Sequence, residues 1–313
     1  MSYNFYEDDE YDFALITDTH FGRTFKEGFP LNRRGEYEQK IYDDFVNFLQ
    51  EKGANKTVIH AGDLFDSPFV SNDTLMKVYK ILDDCCYPLS HYYFIAGNHD
   101  LSKDESKKEC TSFYILSKLL EGRSNIHFIE DTPEIVENGL LLVPYNHFIS
   151  AENMVNAGLN AKVNTVIGHF DDPVPQTLAF FTGNKLSGHF HKRHITHDGT
   201  FFIGSFYPIA FGEETDDSIM ETMTLEEYNK RDESELKDKR VRILLKEGEE
   251  LPTDFACLQL IGKKEKKEDI NIEVKSDTEF DFAELFIDCV KDTGISEELW
   301  DRYCKLKGTG DAA

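Results

Sequence analysis

Five polar signatures follow short apolar runs in strict order along this chain: Asp18-Thr19-His20, Gly62-Asp63, Gly97-Asn98-His99-Asp100, Gly168-His169 and Gly188-His189-Phe190-His191. The runs leading into them are Phe13–Thr17, Thr57–His60, His91–Ala96, Asn164–Ile167 and Lys185–His189, with Leu140–Val143 as a further apolar run. Their length and their aromatic and β-branched content read as strands. Amphipathic patterns at Tyr37–Glu51, Asn72–Asp84, Thr111–Leu120 and Ser150–Gly158 lie between them and read as helices. Such alternation predicts a layered α/β sandwich, its sheets flanked by helices. In open α/β sheets ligands bind in loops beyond the carboxyl ends of strands, which is where each signature falls.

The residue types suit one task. Carboxylate, imidazole and amide oxygen are ligands for borderline-hard divalent metals, and no thiolate stands among them. One carboxylate has two oxygens and can bridge two ions, and an Asp-x-His pair at a strand end can turn both side chains to one ion. Glycine before a ligand permits close approach of backbone and metal. Singly, each signature reads as an ordinary turn or a satisfied histidine. Together they take up His20, His99, His169, His189 and His191 of the chain's 11 histidines, all at strand ends, which points to metal binding. The six cysteines (Cys85, Cys86, Cys110, Cys257, Cys289 and Cys304) form no CxxC pair and no zinc spacing, and read as reduced structural thiols.

The 313 residues allow one large domain with appendages. No apolar run approaches a membrane span, and the acidic start MSYNFYEDDEYDF lacks the features of a signal peptide, so a cytoplasmic protein is expected. A net charge of −25 argues against unaided binding to nucleic acid, whose affinity for proteins comes largely from Lys and Arg. Bound divalent cations or a basic partner would offset it. After the last signature, His194–Thr196 and Thr200–Ile203 read as a hairpin turning at Asp198-Gly199. Composition changes at the acidic Glu213–Asp217, and Glu226–Arg240 is charged throughout. Val241–Leu245, Phe255–Ile261 and Ile270–Val274 are predicted to form a small sheet, and Phe280–Cys304 two short amphipathic helices broken at Thr293-Gly294. The expected division is 1–225 for the main domain, 226–277 for a small α+β capping domain and 278–313 for a helical tail.

Over residues 12–212 the pattern resembles the calcineurin-like metallophosphoesterase superfamily. Gly62-Asp63-Leu64-Phe65-Asp66, Gly97-Asn98-His99-Asp100 and Gly188-His189-Phe190-His191-Lys192-Arg193 look like the SbcD-type DNA repair nucleases, including phage recombination-endonuclease subunits. Phe202-Ile203-Gly204-Ser205, followed by Phe211-Gly212-Glu213, is similar to the strand that closes the nuclease domain there. Ser/Thr phosphatases of the superfamily carry Asp-Arg-Gly and Asn-His-Glu where Asp66-Ser67-Pro68 and Asp100 stand here, which argues against a protein phosphatase.

The resemblance implies that Asp18, His20 and His191 hold one ion, that Asn98, His169 and His189 hold a second, and that Asp63 bridges them, manganese being the family's preferred metal. It implies that His99 stabilises the transition state or protonates the leaving oxygen, and that Asp66 orients His99; Asp66 as a helix N-cap is the plainer reading. Asp100 is assigned to loop or helix capping, His60 to the core, and His194 and His197 to the hairpin. Arg23, Arg33, Arg34, Lys192 and Arg193 are candidates for contact with substrate phosphate, with surface charge as the alternative.

The implied function is a manganese-dependent DNA exonuclease and endonuclease in recombination or double-strand-break processing. It would be partnered by an SbcC-type ABC ATPase and work in the host cytoplasm if phage-encoded. Homodimerisation through Asn72–Asp84 and Thr111–Leu120 is expected from the same resemblance. Two alternatives stand beside this: a phosphodiesterase or phosphatase acting on a nucleotide or other small molecule, and a scaffold subunit that regulates an ATPase. For Phe280–Cys304 and Trp300, folding back on the parent domain and docking on the ATPase coiled coil both remain open.

Overall fold

The computed structural model describes residues 3–136, 139–145, 163–171, 178, 181–213 and 219–264. The chain divides into two compact units, Met1–Glu265 and Lys266–Ala313, the second lying wholly outside the described residues. The helix expected at Ser150–Gly158, the strand at Ile270–Val274 and the helical tail also lie outside them.

Five strands form the first sheet in sequence order: β1 (Tyr6–Asp8), β2 (Phe13–Ile16), β3 (Thr57–Ala61), β4 (Tyr92–Ile95) and β5 (Ile126–Ile129). β1 is antiparallel to β2, and β2 to β5 run parallel. The crossovers are the helices α1 (Glu36–Gly53), α2 (Asn72–Cys85) and α3 (Ser112–Leu119). Ser71 Oγ accepts the Thr74 amide and Thr111 Oγ1 the Tyr114 amide, so α2 and α3 begin at side-chain N-caps.

A second sheet follows in the order β10-β11-β9-β8-β7-β6, with β7 (Leu140–Val143), β8 (Thr165–His169) and β9 (Asn184–Gly188) parallel at its centre. β6 (Glu134–Val136) and β10 (His194–Ile195) are its edges, and β11 (Thr200–Phe202) lies parallel to β9. Alternation within each strand then explains the layers. Phe13 and Leu15 of β2 meet Leu140, Leu142, Ile167 and Leu186 between the sheets, while Ala14 and Ile16 face Phe45, Phe48 and Leu82 of the helices. A strand covered on both faces has no solvent side, which is why FALI and LLLV are apolar throughout.

A third sheet joins β12 (Met220–Thr224), β13 (Arg240–Leu245) and β14 (Gln259–Lys264), all parallel. It begins at Met220, ahead of the expected boundary at 226. β14 starts later than the run Phe255–Ile261 suggests. Cys257 and Leu258 are buried ahead of the strand, where the Leu258 amide donates to Lys239 O, and pairing with β13 begins at Gln259. Among the described residues, no helix is long and apolar enough to cross a membrane.

Candidate metal centre

The carboxyl ends of β2, β3, β4, β8 and β9 deliver all five signatures to one place. The Asp18 and His20 amides donate to Gly62 O and Asp63 O, binding the first two loops to each other beyond the sheet. Backbone strain collects here. Of five described non-glycine residues at positive φ, four are Asp18, His20, Asp63 and His189 (φ 53, 47, 56 and 84°). Left-handed backbone is costly for residues with a Cβ and marks functional sites when the surrounding fold enforces it. The glycines serve the approach of signature to signature. A Cβ on Gly62 would press into the His169 ring, and one on Gly97 into Asp63.

Asp18, His20 and His191 each bring a ligand atom within 4.8 Å of the others, and so do Asp63, His169 and His189. In the first group His20 Nε2 and His191 Nε2 lie 3.1 Å apart, at 3.8 and 3.7 Å from Asp18 Oδ1. In the second, Asn98 Oδ1 sits 3.0 Å from His169 Nε2 and 2.9 Å from His189 Nδ1. One oxygen joins the groups: Asp63 Oδ2 is 3.7 Å from His20 Nε2 and 3.3 Å from His169 Nε2. Its other oxygen accepts the His99 amide at 2.8 Å.

Each of the four imidazoles turns its outer nitrogen to an oxygen. His169 Nδ1 faces Ala61 O at 2.8 Å and His191 Nδ1 faces Glu213 Oε1 at 3.2 Å. His189 Nε2 lies 3.0 Å from Asp171 Oδ1, and His20 Nδ1 lies 3.5 Å from Asp66 Oδ1. For His169, His189 and His191 an outer N–H held in this way leaves the inner nitrogen as a lone pair, the arrangement metal-binding histidines adopt, whereas buried His20 Nδ1 has no hydrogen-bond partner. Asp18 Oδ2 accepts the Thr17 hydroxyl at 2.7 Å and the His189 amide at 3.1 Å, while buried Asp18 Oδ1 faces the imidazoles with no hydrogen-bond partner.

The electrostatics ask for positive charge. Burial disfavours an imidazolium, yet Asp18, Asp66 and Asp63 around His20 push it up to about 10. Burial likewise opposes charge on His169, and Asp63 with Asp18 outweighs it, to about 9. Burial alone would raise the two carboxyls, but the histidines around them hold Asp18 and Asp63 below the usual range. Divalent cations satisfy these carboxylates and the imidazole lone pairs together. The donor set of N and O atoms without sulfur fits them.

Residues 11–193, more than half of the chain, match the calcineurin-like phosphoesterases. The chain belongs to that family. No curated protein matches it closely. As a calcineurin-like phosphoesterase it is a metal-dependent hydrolase of phosphate esters, and its clustered aspartates and histidines are placed to hold divalent ions.

Within this phosphoesterase some expected residues stand elsewhere than the sequence suggested. The Asp66 carboxylate does not reach for His99; it lies at His20 and takes Arg23 Nη1 at 3.0 Å, and the Asp66 backbone carbonyl holds His99 Nδ1 at 2.7 Å. Burial works to raise its pKa, and His20 and Arg23 bring it below the usual value. Arg33 is engaged away from the site, paired with Glu36 and donating to Lys237 O and Ala256 O. Arg193 donates to Ile203 O and Phe5 O, and Arg34 is exposed beside the turn at Gly35. Of the candidate phosphate contacts, Arg23 stays beside the cluster through Asp66, and exposed Lys192 follows His191 directly in the chain.

Asp100 is fully buried and accepts the Leu64, Phe65 and Gly97 amides, tying the second and third signatures together; burial and neighbouring Asp63 push its carboxyl up to about 7 against those donors. His60 meets Thr19 Oγ1 at 3.0 Å, and burial pushes its imidazole down to about 3, as a neutral core histidine. His194 stacks on Phe202 within the hairpin, and His197 is exposed on its turn. Sequence reading missed Asp171 and Tyr145 (stacked on His189), single polar residues without a local pattern, and it marked Phe211-Gly212-Glu213 without finding the part Glu213 plays at His191. Phe211-Gly212-Glu213 is not a strand; it is the turn that returns Glu213 to His191.

Proposed function

We propose that the chain is a two-metal phosphodiesterase, manganese-dependent, that cuts DNA in recombination or break processing together with an SbcC-type ATPase. The observation that carries the two-metal reading is Asp63 Oδ2 standing between two imidazole groups, one on each side. Asp18, His20 and His191 would hold one ion and Asn98, His169 and His189 the other, with Asp63 shared. Two such ions, when bound, would supply a nucleophile at neutral pH and neutralise charge on the phosphate. The chain's own groups do the rest. His99 rests its Nδ1–H on Asp66 O and brings a ring nitrogen near His20 and Asp63, where it would donate a proton to the leaving oxygen. Arg23, paired with Asp66, and exposed Lys192, next to His191 in the chain, would orient a phosphate.

DNA is favoured as substrate by the likeness of the second, third and fifth signatures to SbcD-type nucleases and by the outer ligands His189 and His191, each 24% exposed at the side chain. Such exposure lets a polymer backbone reach the site. A second reading, a small-molecule phosphodiesterase, is favoured by the net charge of −25 and by Arg33 and Arg193 being engaged elsewhere. The deciding experiment compares manganese-dependent cleavage of linear duplex and single-stranded DNA with turnover of bis-p-nitrophenyl phosphate, with and without a co-purified ATPase. Cleavage of both substrates, stimulated on duplex ends by the ATPase, is expected. Turnover of the small diester with no DNA cleavage in either condition would move the reading to the second.

A further inference from the structure

We infer that Glu213 is a positioning residue for the ion assigned to Asp18, His20 and His191, and that Arg240 of the third sheet fixes the turn that carries it. This rests on the metal reading above for His191 and goes beyond it, since both residues lie outside the matched residues 11–193.

The Glu213 carboxylate is fully committed. Oε1 faces His191 Nδ1 at 3.2 Å, while Oε2 accepts the Ile209 amide at 2.7 Å and the Ala210 amide at 3.1 Å. An acceptor at Nδ1 keeps the proton there and leaves Nε2 as the lone pair directed at His20 and Asp18. The turn is in turn held from the third sheet. Arg240 Nη1 donates to Pro208 O at 2.9 Å and Nη2 to Ile209 O at 3.2 Å, and Nε donates to Gln259 Oε1 at 2.6 Å. The guanidinium is buried over the rings of Tyr37 and Phe25, at 4.4 and 4.7 Å from their centroids. A planar fork that serves two successive carbonyls cannot be reproduced by lysine.

The other half of the centre has no such dependence. His169 is set by the β3 carbonyl of Ala61 and His189 by Asp171, both inside the matched residues. The third sheet therefore supports one ion of the pair and leaves the other alone.

Glu213→Gln tests this because it keeps the size of the side chain and replaces one of two acceptor oxygens by a donor. Manganese binding to the whole chain is followed by the EPR signal of free Mn2+, with thermal melting as a control. Wild type is expected to take two ions. Glu213→Gln is expected to keep one at wild-type affinity and bind the second roughly 10–100-fold more weakly, with little change in melting. Arg240→Lys should weaken the same ion by a smaller factor, and it stands in should Glu213→Gln not fold. Asp171→Asn, the mirror case, should weaken the other ion independently, so that the double variant with Glu213→Gln binds both more weakly. Two unchanged affinities in Glu213→Gln, or equal weakening of both ions, would overturn the assignment of Glu213. Wild type binding no manganese would instead overturn the metal reading on which it rests.

Discussion

Replacing Asp66 by alanine separates what the side chain and the main chain of one residue do. The carboxylate lies 3.5 Å from His20 Nδ1 and 3.0 Å from Arg23 Nη1, whereas the backbone carbonyl takes His99 Nδ1 at 2.7 Å. Alanine deletes the first pair and keeps the second. The ion pair with Arg23 is partly solvated, with side chains 39% and 29% exposed, so its loss costs roughly 0.2–1 kcal/mol of stability. The approach to His20 is electrostatic, since His20 Nδ1 has no hydrogen-bond partner; if His20 holds an ion as proposed, the upper bound for a group that orients such an imidazole is roughly 10–100-fold in metal affinity. That factor corresponds to about 1.4–2.8 kcal/mol. Diester turnover measured across a manganese titration is the assay. Asp66→Ala should shift the half-saturating manganese upward by up to that factor, while the rate at saturation stays near the wild-type value because His99 keeps its support. Asp66→Asn, which retains one acceptor oxygen, should shift it less. An unchanged manganese requirement with a saturated rate lowered on the order of 100-fold would show that the carboxylate acts through His99 after all.

His99→Gln should retain both manganese ions by elemental analysis and lose roughly 10²–10⁴-fold in rate, the range for a general acid; loss of an ion would make His99 a ligand, as its closeness to His20 and Asp63 also permits. Lys192→Ala should raise KM for a diester with melting unchanged, whereas Arg193→Ala should lower the melting temperature with KM unchanged, because Arg193 ties Ile203 to Phe5. Phe45→Ala, which empties a fully buried site against Phe21 and Phe206, should cost about 3–5 kcal/mol in denaturant unfolding.

The sandwich was legible because its central strands are covered on both faces: FALI, LLLV and YYFI are apolar runs, and FALI and YYFI stop just short of a signature. The gathering of the five signatures was legible for the same reason, since a loop beyond a buried parallel strand has one place to go. What escaped was pairing across long separations. Nothing local in Asp171 tells it from the many other carboxylates of an acidic chain, the run Phe211-Gly212-Glu213 does not say what Glu213 touches, and only the fold brings the two to His189 and His191. Arginines are ambiguous in sequence because one guanidinium serves equally as a phosphate contact or as a clamp on carbonyls, the use that Arg33 and Arg193 have. For Asp66 the sequence pointed to a contact with His99, but position alone cannot say whether carbonyl or carboxylate makes it, and the carbonyl does. β12, Met-Glu-Thr-Met-Thr, lay hidden beside the charged run because its burial is only partial.

The central claim is that one carboxylate, Asp63, is shared by two ions. EPR of the whole chain loaded with two equivalents of Mn2+ tests it most directly, because ions bridged by a common carboxylate and solvent ligand couple magnetically and separated ions do not. The account predicts a spin-coupled dinuclear spectrum in the wild-type chain, absent from Asp63→Ala at the same loading. A wild-type spectrum of isolated Mn2+ at full occupancy, or a coupled spectrum that survives in Asp63→Ala, would contradict it.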